Sequence, residues 1–429
     1  MATLATPQKI RDLQQALYRR AKKEPKFRFY ALYDKVYRKD MLEHAYALAK
    51  ANAGAPGPDG KSFEEIAQSG ADALLEELHE ELKTKRYKPG PVRRVYIPKL
   101  NGGERPLGIP NIRDRVVQTA VKLVLEPIFE ADFEEDSFGF RPKRDAHQAL
   151  RAIEEALQQG MSLVLDADIE AYFDTIPHDR LMKAVAERIV DGAMLALVKA
   201  FLAAPIVDER NDGPPRRNRQ GTPQGGVISP LLANVYLHLV DRNFKRQKEK
   251  GALRGRLIRY ADDLVVMTSH PPEKARCWLE AILGRLGLKL HPDKTRQLDA
   301  LSEDFVFLGH TLRWRRSKLY LDISAKAQQR IREELRARTR HFGQSLEQTI
   351  QALNTYIRGA RRYFSDVVRR RLATLDRFVL DRLARWWSRK HSRSSPVWSL
   401  TRAGVLWTEH GLERWYHRRR SPALLEPAR

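Results

Sequence analysis

Cysteine is almost missing from this chain of 429 residues, where Cys277 stands alone. One thiol excludes any intramolecular disulfide and any zinc site built from several cysteines. Its place beside Trp278 in a helical stretch reads as helix packing. Long apolar runs are missing as well. The longest, residues 192–207, is interrupted by Lys199 and Pro205 and falls short of the roughly 20 residues that cross a bilayer. Residues 1–30 are charged throughout, with no apolar core of a signal peptide. These absences make a soluble, cytoplasmic protein without a membrane partner the expectation.

Acidic charge is also scarce. Asp and Glu number 54 against 78 Lys and Arg, a net +24, and the natural partner of such a chain is an extended polyanion. Charge alone does not separate RNA, DNA and anionic lipid. The excess is uneven: between Lys326 and Arg393, 18 basic residues face 6 acidic ones. A solvated helix face usually mixes signs, so this stretch reads as a nucleic-acid contact. A hydrophobic content of 42% suffices for the cores of two or three domains.

Against that basic background, two adjacent acids stand out. Asp262 and Asp263 lie between Leu257-Ile258 and Leu264-Val265-Val266, which reads as a β-hairpin with carboxylates at its turn. Asp is also a common residue of plain solvated turns. Two neighbouring carboxylates repel, however, and divalent cations are a natural compensation; Mg2+ prefers such oxygen ligands. A second apolar strand, Leu163-Val164-Leu165, runs into Asp166-Ala167-Asp168-Ile169 and brings a third carboxylate into reach. Three acids so placed suit two-metal phosphoryl transfer. Asp166 shares a strand face with Asp168 by period-two alternation and reads as a supporting group.

Several motifs then occur in a recognisable order. Tyr260-Ala261-Asp262-Asp263 resembles the catalytic signature of reverse transcriptases. Gly221-Thr222-Pro223-Gln224-Gly225-Gly226-Val227-Ile228-Ser229-Pro230-Leu231-Leu232-Ala233-Asn234 resembles a block specific to group II intron reverse transcriptases. Arg93–Lys99, Arg105–Pro110, Ser137–Pro142, Asp168–Asp174, Leu286-Gly287-Leu288 with Lys294-Thr295, and Phe305–Gly309 complete the set. The resemblance spans roughly residues 30–390, and it is to the group II intron-encoded reverse transcriptase/maturase family, of the type lacking an endonuclease.

That resemblance implies an α+β right-hand polymerase fold of fingers and palm, with a helical N-terminal extension and a helical thumb (X, or maturase) domain. The expected division is an extension over 1–90, fingers and palm over 91–320, thumb over 321–391, and a short basic tail over 392–429 without a His-Asn-His endonuclease. It implies an RNA-directed DNA polymerase that copies RNA into cDNA with two Mg2+ ions and dNTP substrates. The ions would rest on Asp168, Asp262 and the backbone carbonyl of Ile169, with Asp263 contributing more weakly. Lys99 and Arg105 on a fingers hairpin would face the triphosphate, Gln224 the incoming nucleotide, and Lys294 the primer. Phe173 would lie beneath the sugar and reject a 2′-hydroxyl; it also reads as a plain core residue, and Tyr172 takes the role if the register slips by one.

The implied partners are an RNA template, above all group II intron RNA, with a DNA or RNA primer and a DNA target. Splicing assistance and retrohoming follow by analogy, in a bacterial-type cytoplasm with nucleoid or ribonucleoprotein association. Without an endonuclease, priming from a nascent strand at a replication fork is the expectation. Two other readings stay open: a free-standing relative serving phage defence, spacer acquisition from RNA or DNA repair, and a non-catalytic RNA-binding splicing factor. Loss of an acid would have favoured the last, and all three are present.

Overall fold

A computed structural model describes residues 4–98, 102–210, 214–340, 343–390, 406–407 and 410–415. The chain forms two compact units, residues 1–298 and 299–429. The first begins with helices α1 (Gln8–Lys23), α2 (Tyr33–Val36), α3 (Lys39–Asn52), α4 (Phe63–Ser69) and α5 (Ala71–Lys83). Leu74, Leu75, Leu78 and Leu82 are spaced as a one-face stripe suited to a core, and in α5 Leu78 and Leu82 are buried. Ser62 and Glu65 close a reciprocal capping box at the start of α4, satisfying donors that a helix N-terminus leaves open.

Next come β1 (Val92–Pro98) and β2 (Glu104–Pro110), the predicted antiparallel hairpin, and helix α6 (Ile112–Glu130). After α6 follow α7 (Ala146–Gln158), β3 (Leu163–Asp168), α8 (Tyr172–Thr175), α9 (His178–Ala186), α10 (Gly192–Leu202), β4 (Pro205–Asp208) and β5 (Arg216–Arg217). The hairpin widens into a four-stranded sheet ordered β2-β1-β4-β5.

The sequence pattern over residues 179–203 reads as a single helix, but the chain breaks it between α9 and α10. There the Asp191 carboxylate accepts the Ala193 and Met194 N–H groups and also those of Leu32 and Tyr33. A cap that serves the helix and an incoming segment together outweighs the helical pattern of the sequence.

Helix α11 (Ser229–Glu249), β6 (Arg256–Tyr260), β7 (Asp263–Thr268), α12 (Glu273–Leu286) and β8 (Arg296–Asp299) follow. The central sheet is ordered β6-β7-β3-β8. β7 is apolar at Leu264, Val265, Val266 and Met267, all fully buried, as a strand covered on both faces must be. Cys277 on α12 is exposed, which corrects its reading as a packing residue: the neighbouring Trp278 does the packing, against Phe244, with its indole N–H donating to Asn243.

The second unit holds β9 (Phe305–Phe307), β10 (His310–Arg315) and β11 (Lys318–Ile323) in one antiparallel sheet, then α13 (Ala325–Arg338), α14 (Leu346–Tyr363) and α15 (Arg369–Lys390). The sequence over residues 345–371 reads as a helix that can break at Gly359, but the break comes later. α14 runs through that glycine, and the chain turns where Val367 bridges Leu321. Trp386 is buried in α15. No helix among the described residues is long and apolar enough to cross a membrane.

Candidate active site

The acids meet at one end of the central sheet. β3 and β7 pair antiparallel with Asp168 opposite Asp263, and Asp166 opposite Val265. Directly opposed residues share a face, so Asp166, Asp168 and Asp263 project from the same side. Asp262 sits in the turn that joins β6 to β7, next to Ala261 at φ +57°. A non-glycine residue in that left-handed region needs support from its surroundings.

The support is a buried polar network. Arg259 is fully buried and forms an ion pair with Asp241 at 2.6 Å. One Nη of Arg259 donates to the Asn234 side chain at 2.8 Å and to the Ala261 carbonyl at 3.0 Å. Asn234 in turn donates to the Gly139 carbonyl at 2.7 Å. Gly139 lies so close that an added Cβ would stand 2.3 Å from the Ala261 nitrogen. Two of the motif blocks, around Gly139 and ending at Asn234, thus brace the acidic turn from behind. Sequence reasoning missed Arg259, Asp241 and Asn234 as functional residues; an arginine directly after the apolar Leu257-Ile258 pair was the signal that could have found them.

The electrostatics of the cluster are unfavourable by themselves. Burial, with repulsion from Asp168, raises the Asp262 carboxyl, against the pull of Arg105 and Arg259. Asp263 keeps solvent access at its surface, yet the protein crowded around it and the neighbouring Asp262, Asp168 and Asp166 push it up to about 7. Burial and Asp168 lift Asp166 to about 6, opposed by Arg296. Lys294 contacts the acids directly, its Nζ donating to Asp168 Oδ2 at 2.5 Å. Carboxylates crowded to this degree, short of positive charge, match the oxygen donors that a hard divalent cation requires.

Other predicted residues assemble beside the acids. Arg105 Nε donates to Gln224 Oε1 at 2.6 Å, and the Gln224 amide reaches Asp174 at 3.3 Å. The Gly108 N–H donates to the Gln224 carbonyl at 2.5 Å. Gly225 at φ +110° makes this contact possible, because a Cβ there would lie 2.4 Å from the Gly108 oxygen. The Thr222 N–H donates to the Phe173 carbonyl at 2.7 Å. Phe173 lies against the exposed ring of Phe140, centroids 6.3 Å apart. Tyr172 is committed elsewhere, its hydroxyl donating to the Ala233 carbonyl in the core at 2.6 Å. Ile169 bridges Leu290 through hydrogen bonds made by its neighbours, Asp168 O and Glu170 N–H, so the Ile169 carbonyl is not spent there. Lys99 lies outside the described residues.

A palm-like sheet with opposed acids and a fingers hairpin clamped to it defines a nucleotidyl-transfer polymerase. Residues 97–312 match the family description Reverse transcriptase (RNA-dependent DNA polymerase), and residues 328–404 match Group II intron, maturase-specific domain. Protein YkfC of Escherichia coli strain K12 is 36% identical over 72% of this chain and 90% of its own length. Group II intron-encoded protein LtrA of Lactococcus lactis is 38% identical over 52% of this chain and 36% of its own. The Uncharacterized 91 kDa protein in cob intron of Schizosaccharomyces pombe is 34% identical over 53% of this chain and 27% of its own. The chain therefore belongs to the group II intron reverse transcriptase and maturase family. It is an RNA-directed DNA polymerase of the right-hand fold, a class that takes template RNA, deoxynucleotides and divalent metal. It spans most of YkfC but only about a third of LtrA.

Proposed function

We propose that the chain extends a DNA or RNA primer on an RNA template at the Asp168–Asp262–Asp263 cluster, with two Mg2+ ions held by Asp168, Asp262 and the Ile169 carbonyl and more weakly by Asp263. The observation that carries this reading is the register that sets Asp168 opposite Asp263 beside the strained Ala261-Asp262 turn. Bound there, the ions would supply a deprotonated primer hydroxyl and a neutralised leaving pyrophosphate.

The chain's own residues do the positioning. Arg105, fixed by Gln224, presents a guanidinium to the triphosphate, and Lys99 is proposed to join it. Phe173, held edge-on against Phe140, blocks a ribose 2′-hydroxyl. Lys294 holds the Asp168 carboxylate near the primer end. The four-part division at 90, 320 and 391 remains the proposed domain map.

The maturase-specific match and the basic α13–α15 region support a second task on the same chain, binding group II intron RNA to assist its splicing and retrohoming. The test uses the full chain with a group II intron transcript: the wild type and Asp262→Ala both accelerate splicing, and only the wild type synthesises cDNA. Absence of any RNA affinity above that for an unrelated transcript would remove the splicing assignment and leave the polymerase.

A further inference from the structure

Beside the nucleotide loop lies a groove whose larger part the polymerase reading does not use. A cavity of about 270 Å3, lined by Arg94, Gly108, Asp174 and Gln224, shares Asn218 and Gln220 with a larger cavity of about 710 Å3. The larger one is floored by Met182, Leu195 and other apolar side chains of α9 and α10, and rimmed by Lys199, Arg217 and Arg219. Its volume falls in the range of small-molecule sites.

The charge on its rim is unbalanced. Lys199, Arg217 and Arg219 make no ion pair among the described residues, unlike Arg93, which is paired with Glu209, and Arg210, paired with Glu104. Asp179 is the one acid among the lining residues of the larger cavity. Arg217 and Arg219 lie on or next to β5, the edge strand of the fingers sheet, and three residues beyond Gln220 the chain reaches Pro223 and Gln224. Edge arginines without partners protect a sheet from unwanted pairing, but that role does not require an apolar floor, nor convergence on the active-site loop.

We propose that this groove is an accessory nucleoside polyphosphate site, with Arg217, Arg219 and Lys199 on the phosphates and the apolar floor under the base or sugar. It would hold a deoxynucleoside triphosphate before transfer past Gln220 toward Gln224 and Arg105. The inference rests on the placement of the nucleotide site at Gln224 and Arg105 proposed above. Polyphosphate is favoured over a nucleic-acid strand because Lys199, Arg217 and Arg219 line the same cavity over an apolar floor, whereas a strand is followed by charge along a track.

The test measures binding of a fluorescent dATP analogue to the full chain carrying Asp262→Ala, without divalent metal, so that the reacting centre contributes little. A further Arg217→Gln/Arg219→Gln change, on exposed side chains, is expected to weaken the analogue at least tenfold while RNA affinity moves less than twofold. Lys199→Gln, on a different element, repeats the effect independently. In an otherwise wild-type chain the double change raises KM for dNTP and leaves kcat at saturating dNTP unaltered. Unchanged nucleotide affinity would overturn the proposal; if RNA affinity falls instead, the cations serve a nucleic-acid strand. Failure of wild-type primer extension in the same preparation would count against the polymerase site itself, which separates the two claims.

Discussion

Arg259 donates to the carbonyl of Ala261 at 3.0 Å, while its other nitrogens hold Asp241 in the core. This contact fixes the peptide that aims Asp262 and Asp263, and it places a buried cation behind two acids. Removing the arginine has two separable costs. Arg259→Met leaves Asp241 buried and unpaired, a loss of about 3–5 kcal/mol. Arg259→Met with Asp241→Leu restores most of that stability, because no charge is left stranded. The double variant should melt near the wild type yet extend primers ten- to a hundredfold more slowly; recovery of both together would make Arg259 purely structural.

Gly139 offers a second route to the same turn. A methyl group there would meet the Ala261 nitrogen at 2.3 Å, a distance real side chains do not adopt, so the turn must move. Gly139→Ala is expected to lower kcat by at least tenfold with template affinity unchanged in a filter-binding assay. Unaltered kcat would mean that the acids tolerate displacement of the turn.

The pH dependence follows from the crowded acids. Folded Asp263 keeps its proton up to about 7, whereas in the unfolded chain it releases it near 4. Between these values the folded state binds more protons, so metal-free stability falls as pH rises through that window. Melting temperatures of the metal-free protein should decline from pH 5 to 7.5, and Asp263→Asn should flatten the trend. Mg2+ needs the ionised carboxylates, so its apparent affinity should weaken below pH 7 by up to about tenfold per pH unit for each proton displaced. A metal requirement for extension that is constant from pH 6 to 8 would contradict this.

Sugar selection is assigned to Phe173. Phe173→Val opens space beneath the sugar, and ribonucleotide incorporation relative to deoxynucleotide should rise on the order of tenfold to a hundredfold. Tyr172→Phe should not change it, because the Tyr172 hydroxyl is spent on the Ala233 carbonyl. The opposite ranking would place the gate one residue earlier.

Much of this site was legible in the chain because it is local. Asp262-Asp263 between apolar runs announces its hairpin, and Leu163–Asp168 its strand, since a short continuous apolar run ending in acids is written in neighbouring residues. The bracing of that hairpin is not local: Gly139, Asn234, Asp241 and Arg259 lie far apart in sequence and meet only in the fold. Asp191 illustrates the same limit, since its cap on two segments broke a helix that periodicity alone would have continued. The exposure of Cys277 was hidden for a similar reason, as the helical pattern did not show which face Trp278 would claim.

The most direct test is Mg2+-dependent extension of a DNA primer on an RNA template by the wild type and by Asp262→Ala, with RNA affinity measured on both. The proposed site predicts extension by the wild type alone at equal RNA affinity. Extension that survives Asp262→Ala, or is absent from both proteins, would contradict it.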